Sequence, residues 1–163
     1  MGGFTAPEPK LRLLGLGNEI LADDAFGILA AREVGRRYCG AVEVAMSSEG
    51  GFDLIDELLG APRVLVVDTI QTGNFPPGTI RILDEAEIRP VPGQSPHFIG
   101  LFEALAVARE LGMDVPRRVT IAAVEAADCA TVGGAMHPAV RAAIPKVAAW
   151  VGECLKSSEI RHA

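Results

Sequence analysis

The chain has 163 residues, of which 49% are hydrophobic and 22% charged, so it has the length of one domain (1–163) and ample apolar material for a core. Its formal net charge is −6, and it lacks the Lys and Arg clusters that phosphate binding requires, which excludes nucleic acid as a partner class. No apolar run reaches the ~20 residues of a membrane span.

Residues 1–9, with Gly2, Gly3, Pro7 and Pro9, read as a loose leader. They lack a basic stretch feeding an apolar one, and Ala6 stands where a myristoylation signal carries Ser or Thr; a cytoplasmic location is expected. Cys39, Cys129 and Cys154 are odd in number, widely spaced and without a CxxC pair, which fits a reducing compartment rather than a disulfide framework or thiolate zinc site.

The run Leu11, Leu13, Leu14, Leu16 predicts a mostly buried first strand over 10–16, ended by Gly17 and Asn18. Asp23 and Asp24 then precede an apolar pattern of helical period (Phe26, Ile28, Leu29, Val34), placing two carboxylates where a helix over 24–37 begins. Arg36, Arg37 and Gly40 stop that helix. Val42, Val44 and Met46 alternate in 41–47, a half-exposed strand at or near an edge. Ser48-Glu49-Gly50-Gly51 opens a short helix carrying Leu54, Ile55, Leu58 and Leu59.

Val64-Leu65-Val66-Val67 is the least ambiguous strand, expected over 63–69 with Asp68 at its end. The turn-rich QTGNFPPG leads to GTIRIL (78–83), a strand that must run antiparallel because the join has no room for a crossover helix. Residues 84–94 read as an irregular loop. Ser95-Pro96 then opens a helix to Leu111 with His97 in its first turn. RRVTIAAV (117–124) is the last strand, and a closing helix is expected from Pro138 to Trp150 or slightly beyond, interrupted near Pro145, with 155–163 flexible.

This order points to a three-layer α/β/α sandwich with a mostly parallel sheet. In such sheets ligands bind beyond the carboxyl ends of the strands, where Asp24 and Asp68 both fall. Two carboxylates and one imidazole, Asp24, Asp68 and His97, suit a divalent transition metal, with imidazole favouring Zn, Ni, Cu or Fe over Mg or Ca. Each has an ordinary alternative: Asp24 as a helix cap, Asp68 as a turn cap, His97 as a surface residue. His137, beside Pro138, and His162, in the tail, are read as non-functional. GxSxG, GxxxxGK[ST] and HExxH are absent, and Gly15-Leu16-Gly17 has Ile20 where a dinucleotide fingerprint needs its third glycine. Cys129 follows Asp128, which disfavours its thiolate.

With GLGNEILADDAFG, VLVVDTI, PPGTIRIL and SPHFIGLFEAL in place, the chain resembles the hydrogenase maturation endopeptidases from about Leu11 to Val151. The resemblance implies a phosphorylase/hydrolase-like sandwich with a five-stranded sheet, one strand of which is antiparallel. A short connection by itself would pair strand four with strand three; the family places strand four beyond strand five, and that is the order expected here. The resemblance further implies an endopeptidase that removes the C-terminal extension of the [NiFe] hydrogenase large-subunit precursor after nickel insertion. The nickel would be presented by the substrate to Asp24, Asp68 and His97, a site other divalent transition metals can occupy, with Asp23 as a candidate base. Glu125 matches a family glutamate, although Ala126 replaces the usual proline after it; Ala25 stands where glycine is frequent; and Glu49-Gly50-Gly51 matches a turn that lines the substrate cleft. The partner implied is the precursor, and the chain is expected to be a monomer. A non-cleaving maturation chaperone or metal-delivery protein on the same fold is the alternative.

Overall fold

The computed structural model describes residues 11–87 and 100–160. Five strands, β1 (Arg12–Leu16), β2 (Glu43–Ser47), β3 (Arg63–Ile70), β4 (Ile80–Asp84) and β5 (Arg118–Glu125), form one sheet in the order β2-β1-β3-β5-β4. Every pairing is parallel except β4 with β5. The helices are α1 (Phe26–Arg37), α2 (Ile55–Leu58), α3 (Leu101–Glu110) and α4 (Pro138–Ile160). Among the described residues no helix is long and apolar enough to cross a membrane.

Strand periodicity divides the core into two layers. Leu13, Leu65, Val67, Ala122 and Val124 face α1 and α4, packing on Phe26, Ala30, Ala31, Val34, Val140, Val147 and Val151. Leu14, Leu16, Val64, Val66, Val119 and Ile121 face α2 and α3, packing on Leu54, Leu58, Leu101 and Leu105. Central strands with both faces covered must be apolar throughout, which is why β1, β3 and β5 read as continuous hydrophobic runs. Arg12, the polar interruption in β1, sends its guanidinium to the carbonyls of Glu57 and Leu59 and to the Glu43 carboxylate.

β4 lies beyond β5, not beside β3. The connection from Ile70 to Ile80 crosses the end of β5, and Glu125 holds it there: its Oε1 accepts the N–H groups of Thr72 and Gly73, both at 2.7 Å, and its Oε2 accepts the Thr72 hydroxyl at 2.9 Å. A buried carboxylate thus fixes a crossing that a short loop would otherwise make as a hairpin.

Several boundaries differ from expectation. β3 continues two residues past Asp68, because Thr69 and Ile70 still pair with Val124 and Glu125. Asp23 and Asp24 lie in a 3-10 turn, Asp23–Ala25, ahead of α1, and neither caps a helix. α4 passes Pro145 without a break and runs on to Ile160. Pro145 is exposed, so water can reach the Arg141 carbonyl it leaves without a helical donor, and Cys154 and Leu155 pack against the core, carrying the helix past residue 155. The start expected for α3 at Ser95-Pro96, and His97 with it, lies outside the described residues.

Candidate active site at the carboxyl rim of the sheet

β1 and β3 are parallel neighbours, so their carboxyl ends open on the same rim. Asp24 arrives there from the 3-10 turn after β1 and Asp68 from two residues before the end of β3, and both are buried, at 4% and 0% exposure. Burying carboxylates is costly unless donors meet them. Asp24 Oδ2 accepts the Asn18 N–H at 2.8 Å, and Asp68 Oδ1 accepts the Thr69 N–H at 2.7 Å.

Thr69 links the two acids. Its main chain serves Asp68 while its hydroxyl lies 3.5 Å from Asp24 Oδ1 and 3.6 Å from Cys129 Sγ. Strand alternation puts Asp68 on the same face as Val66 and Ile70, the face covered by α3, and Thr69 on the face of α1. The pair therefore straddles the sheet end with Thr69 between them.

The approach of Asp24 depends on Gly17. Gly17 has φ +146°, and a Cβ there would lie 1.9 Å from the Asp24 carbonyl oxygen, so no other residue fits between strand and turn. Asn18 completes the cradle, its N–H on Asp24 and its side-chain oxygen accepting the Ile20 N–H at 3.1 Å. Sequence reasoning used Gly17 and Asn18 only as a strand stop; the signal for their second role is the Gly-Asn pair six residues before a carboxylate. Thr69 went unnoticed because a threonine in a β-run carries no functional mark.

Asp23 does different work. It is fully buried; Oδ1 accepts the His137 N–H at 2.6 Å, and Oδ2 accepts those of Ala127 and Asp128 at 2.7 and 2.9 Å. With three main-chain donors on its oxygens it is a staple between the β1–α1 turn and the β5–α4 loop, poorly set for the base role considered from sequence. His137, read as non-functional, caps α4: its Nδ1 accepts the Ala139 N–H at 3.2 Å. Glu125, 1% exposed, is committed to the β3–β4 crossing.

Cys129 adjoins the acids, and its thiol is pushed up to about 11, chiefly by burial, with Asp24, Asp23 and Asp68 adding like-charge repulsion. It is no nucleophile at neutral pH. Among the described residues no group of three His, Cys, Asp or Glu is arranged to hold a metal ion; of the three ligands expected from sequence, Asp24 and Asp68 are described and His97 is not. Beside the pair opens a cleft of about 300 Å³, lined by Gly17, Asn18, Ile28, Met46, Ser47 and Ser48 and rimmed by the Arg32–Glu19 ion pair.

A family model described as hydrogenase maturation protease, HycI, matches residues 37–153. The hydrogenase expression/formation protein HupD of Thiocapsa roseopersicina is 30% identical over 139 residues, covering 82% of this chain and 62% of that protein. Hydrogenase 2 maturation protease of Escherichia coli is 28% identical over 119 residues, covering 71% of this chain and 72% of its own length. The solved structure of the hydrogenase maturating endopeptidase HybD from E. coli superposes with a TM-score of 0.77 at 26% identity, over 91% of this chain and 93% of that one.

Proposed function

The chain belongs to the hydrogenase maturation protease family, and from that premise we propose that it removes the C-terminal extension of a [NiFe] hydrogenase large-subunit precursor once nickel has been inserted. In this reading nickel arrives as part of the substrate and is met by Asp24, Asp68 and His97. The reading is carried by one observation: two carboxylates, Asp24 from the turn that follows β1 and Asp68 from the neighbouring parallel strand β3, are buried at one rim with Thr69 hydrogen-bonded to both. α3, which follows His97 in the chain, packs on the face that Asp68 occupies.

Each residue has a defined task. The Asn18 N–H and Thr69 hydroxyl orient the Asp24 carboxylate, the Thr69 N–H orients Asp68, and preset ligands lose little freedom when the ion docks. A precursor without nickel presents nothing for the acids to bind and is refused. Held by those residues, the ion would supply Lewis-acid chemistry at the scissile bond; the chain's part is to position it and to exclude bulk solvent through the buried walls around Asp24 and Asp68.

Intact-mass measurement of the precursor after incubation with the protein tests this. The expected result is loss of the C-terminal segment from nickel-loaded precursor, none from nickel-free precursor, and a fall of at least about 100-fold in rate for Asp24→Ala, Asp68→Ala and His97→Ala. A stable complex with no loss of mass establishes the chaperone reading instead. Cleavage independent of nickel removes the ion from the mechanism.

A further inference from the structure

β2 is an edge strand, paired on one side with β1. In a parallel pair, alternate residues direct both backbone groups to the same neighbour. The Glu43 N–H donates to the Leu11 carbonyl at 3.2 Å and the Ser47 carbonyl accepts the Gly17 N–H at 3.1 Å, so Glu43, Ala45 and Ser47 serve β1. Val44 and Met46 therefore turn their N–H and C=O groups outward, and among the described residues nothing pairs with them.

Edge strands are normally blunted by charge, proline or a covering element. Here the outward positions are Val44 and Met46, with Met46 43% exposed, and the cleft opens alongside Met46, Ser47 and Ser48. Beyond the turn, Phe52 is 61% exposed. Asn18, whose N–H holds Asp24, is part of the cleft lining. Glu19 and Arg32 line the cleft as an ion pair and exposed Glu49 follows Ser48 in the chain, so the charge left over here is acidic, which disfavours an acidic occupant.

The geometry points to β2 as the docking edge for the precursor: an extended, non-acidic segment next to the scissile bond adds to the sheet as a sixth strand beside Val44 and Met46, and its end enters the cleft toward Asp24. Main-chain pairing supplies the binding, which is how a protease holds a peptide extended without demanding one sequence. This assignment rests on the proposed protease function.

Two measurements test it. Amide hydrogen exchange at Met46, pulse-labelled residue by residue in wild-type protein without precursor and during the first turnover of nickel-loaded precursor, is expected to slow at least tenfold when precursor is present. In the wild-type background, Met46→Pro removes the outward N–H where an edge strand tolerates proline, and is expected to raise KM for the precursor at least tenfold with little change in melting temperature. Ile82→Pro is the matched control. Ile82 shares the outward side of the opposite edge with Asp84, whose N–H turns away to Glu87, and its KM should stay at the wild-type value.

Unchanged Met46 exchange, or a Met46→Pro protein that cuts with wild-type KM, overturns the proposal. Met46 protection that grows with protein concentration in the absence of precursor identifies a second copy of this chain as the occupant, and slow exchange in the isolated monomer means that the chain covers its own edge; both also overturn it. Protection by precursor without cleavage by wild-type protein supports strand addition while removing the protease reading, so the two failures are distinguishable.

Discussion

Oδ1 of Asp23 accepts the backbone N–H of His137 at 2.6 Å, tying the turn after the first strand to the start of the last helix across 114 positions. Oδ2 of the same side chain holds the N–H groups of Ala127 and Asp128. The staple closes the candidate site from behind: the residue after Asp23 is Asp24, and the loop it grips carries Cys129.

Asp23→Asn is the informative change. The amide nitrogen that replaces one oxygen must face at least one of three N–H donors, and its best choice still confronts His137. Losing a charge-assisted bond and leaving a buried donor unmet costs roughly 3 kcal/mol. Urea unfolding should show the midpoint falling accordingly, with the slope of the transition unchanged. A midpoint equal to that of the wild type refutes the staple.

Glu125 allows a sharper contrast between two substitutions. In Glu125→Gln the remaining carbonyl oxygen keeps the Thr72 and Gly73 N–H bonds and the new amide donates to the Thr72 hydroxyl, so the cost is at most about 1 kcal/mol. Glu125→Ala strands two backbone donors and loosens the crossing that places β4 beyond β5, costing about 3 kcal/mol. Thermal unfolding of both variants checks the ordering, and amide exchange at Thr72 and Gly73 should accelerate only in the alanine protein.

Cys129 fixes a pH dependence. Its folded pKa, about 11, lies above the ordinary 9.0, so the unfolded chain loses this proton first. The contribution to stability is therefore complete below pH 9 and is lost as pH rises from 9 through about 11. At pH 8 only about one thiol in a thousand is ionised by that value, so maleimide should label exposed Cys39 and leave Cys129 untouched for far longer. Asp24→Asn removes one of the three repelling carboxylates and should speed labelling of Cys129; equal rates for Cys39 and Cys129 in the wild type contradict the assignment.

The chain revealed its strands more readily than its site. Val64 to Val67 announced β3 because a strand buried on both faces has no choice but continuous apolar residues, and the alternation around Glu43 marked β2 as an edge. The rim position of Asp24 and Asp68 followed from strand order alone. What Asp23 and Glu125 do was hidden, since their partners are main-chain N–H groups, which every residue carries. The extent of β3 past Asp68 was set by β5, not by Thr69 and Ile70 themselves, and α4 outran its polar tail because Leu155 finds the core. The place of β4 was visible only through the family resemblance, its physical cause being a carboxylate 45 residues further on that grips the crossing loop.

Two glycines of α1 separate packing from propensity on a single helix. A Cβ at Gly27 would lie 1.9 Å from the Leu16 carbonyl oxygen and 2.5 Å from that of Val67, both rigid strand backbone, so α1 would have to lift off β1 and β3. Overpacking of this kind costs about 1–3 kcal/mol, and relief by moving the helix end also carries Asp24, three residues earlier, away from Asp68. At Gly35 the added Cβ meets only Val44 Cγ2 at 3.6 Å, an ordinary contact. There alanine restricts the unfolded chain and favours the helix, a gain of roughly 0.5–1 kcal/mol. Gly35→Ala is thus expected to melt slightly above the wild type with unchanged precursor cleavage, while Gly27→Ala melts well below it and, at a temperature where it is still folded, cleaves more slowly. If Gly27→Ala is as stable and as active as Gly35→Ala, the close seat of α1 on the sheet is not what holds Asp24 in place.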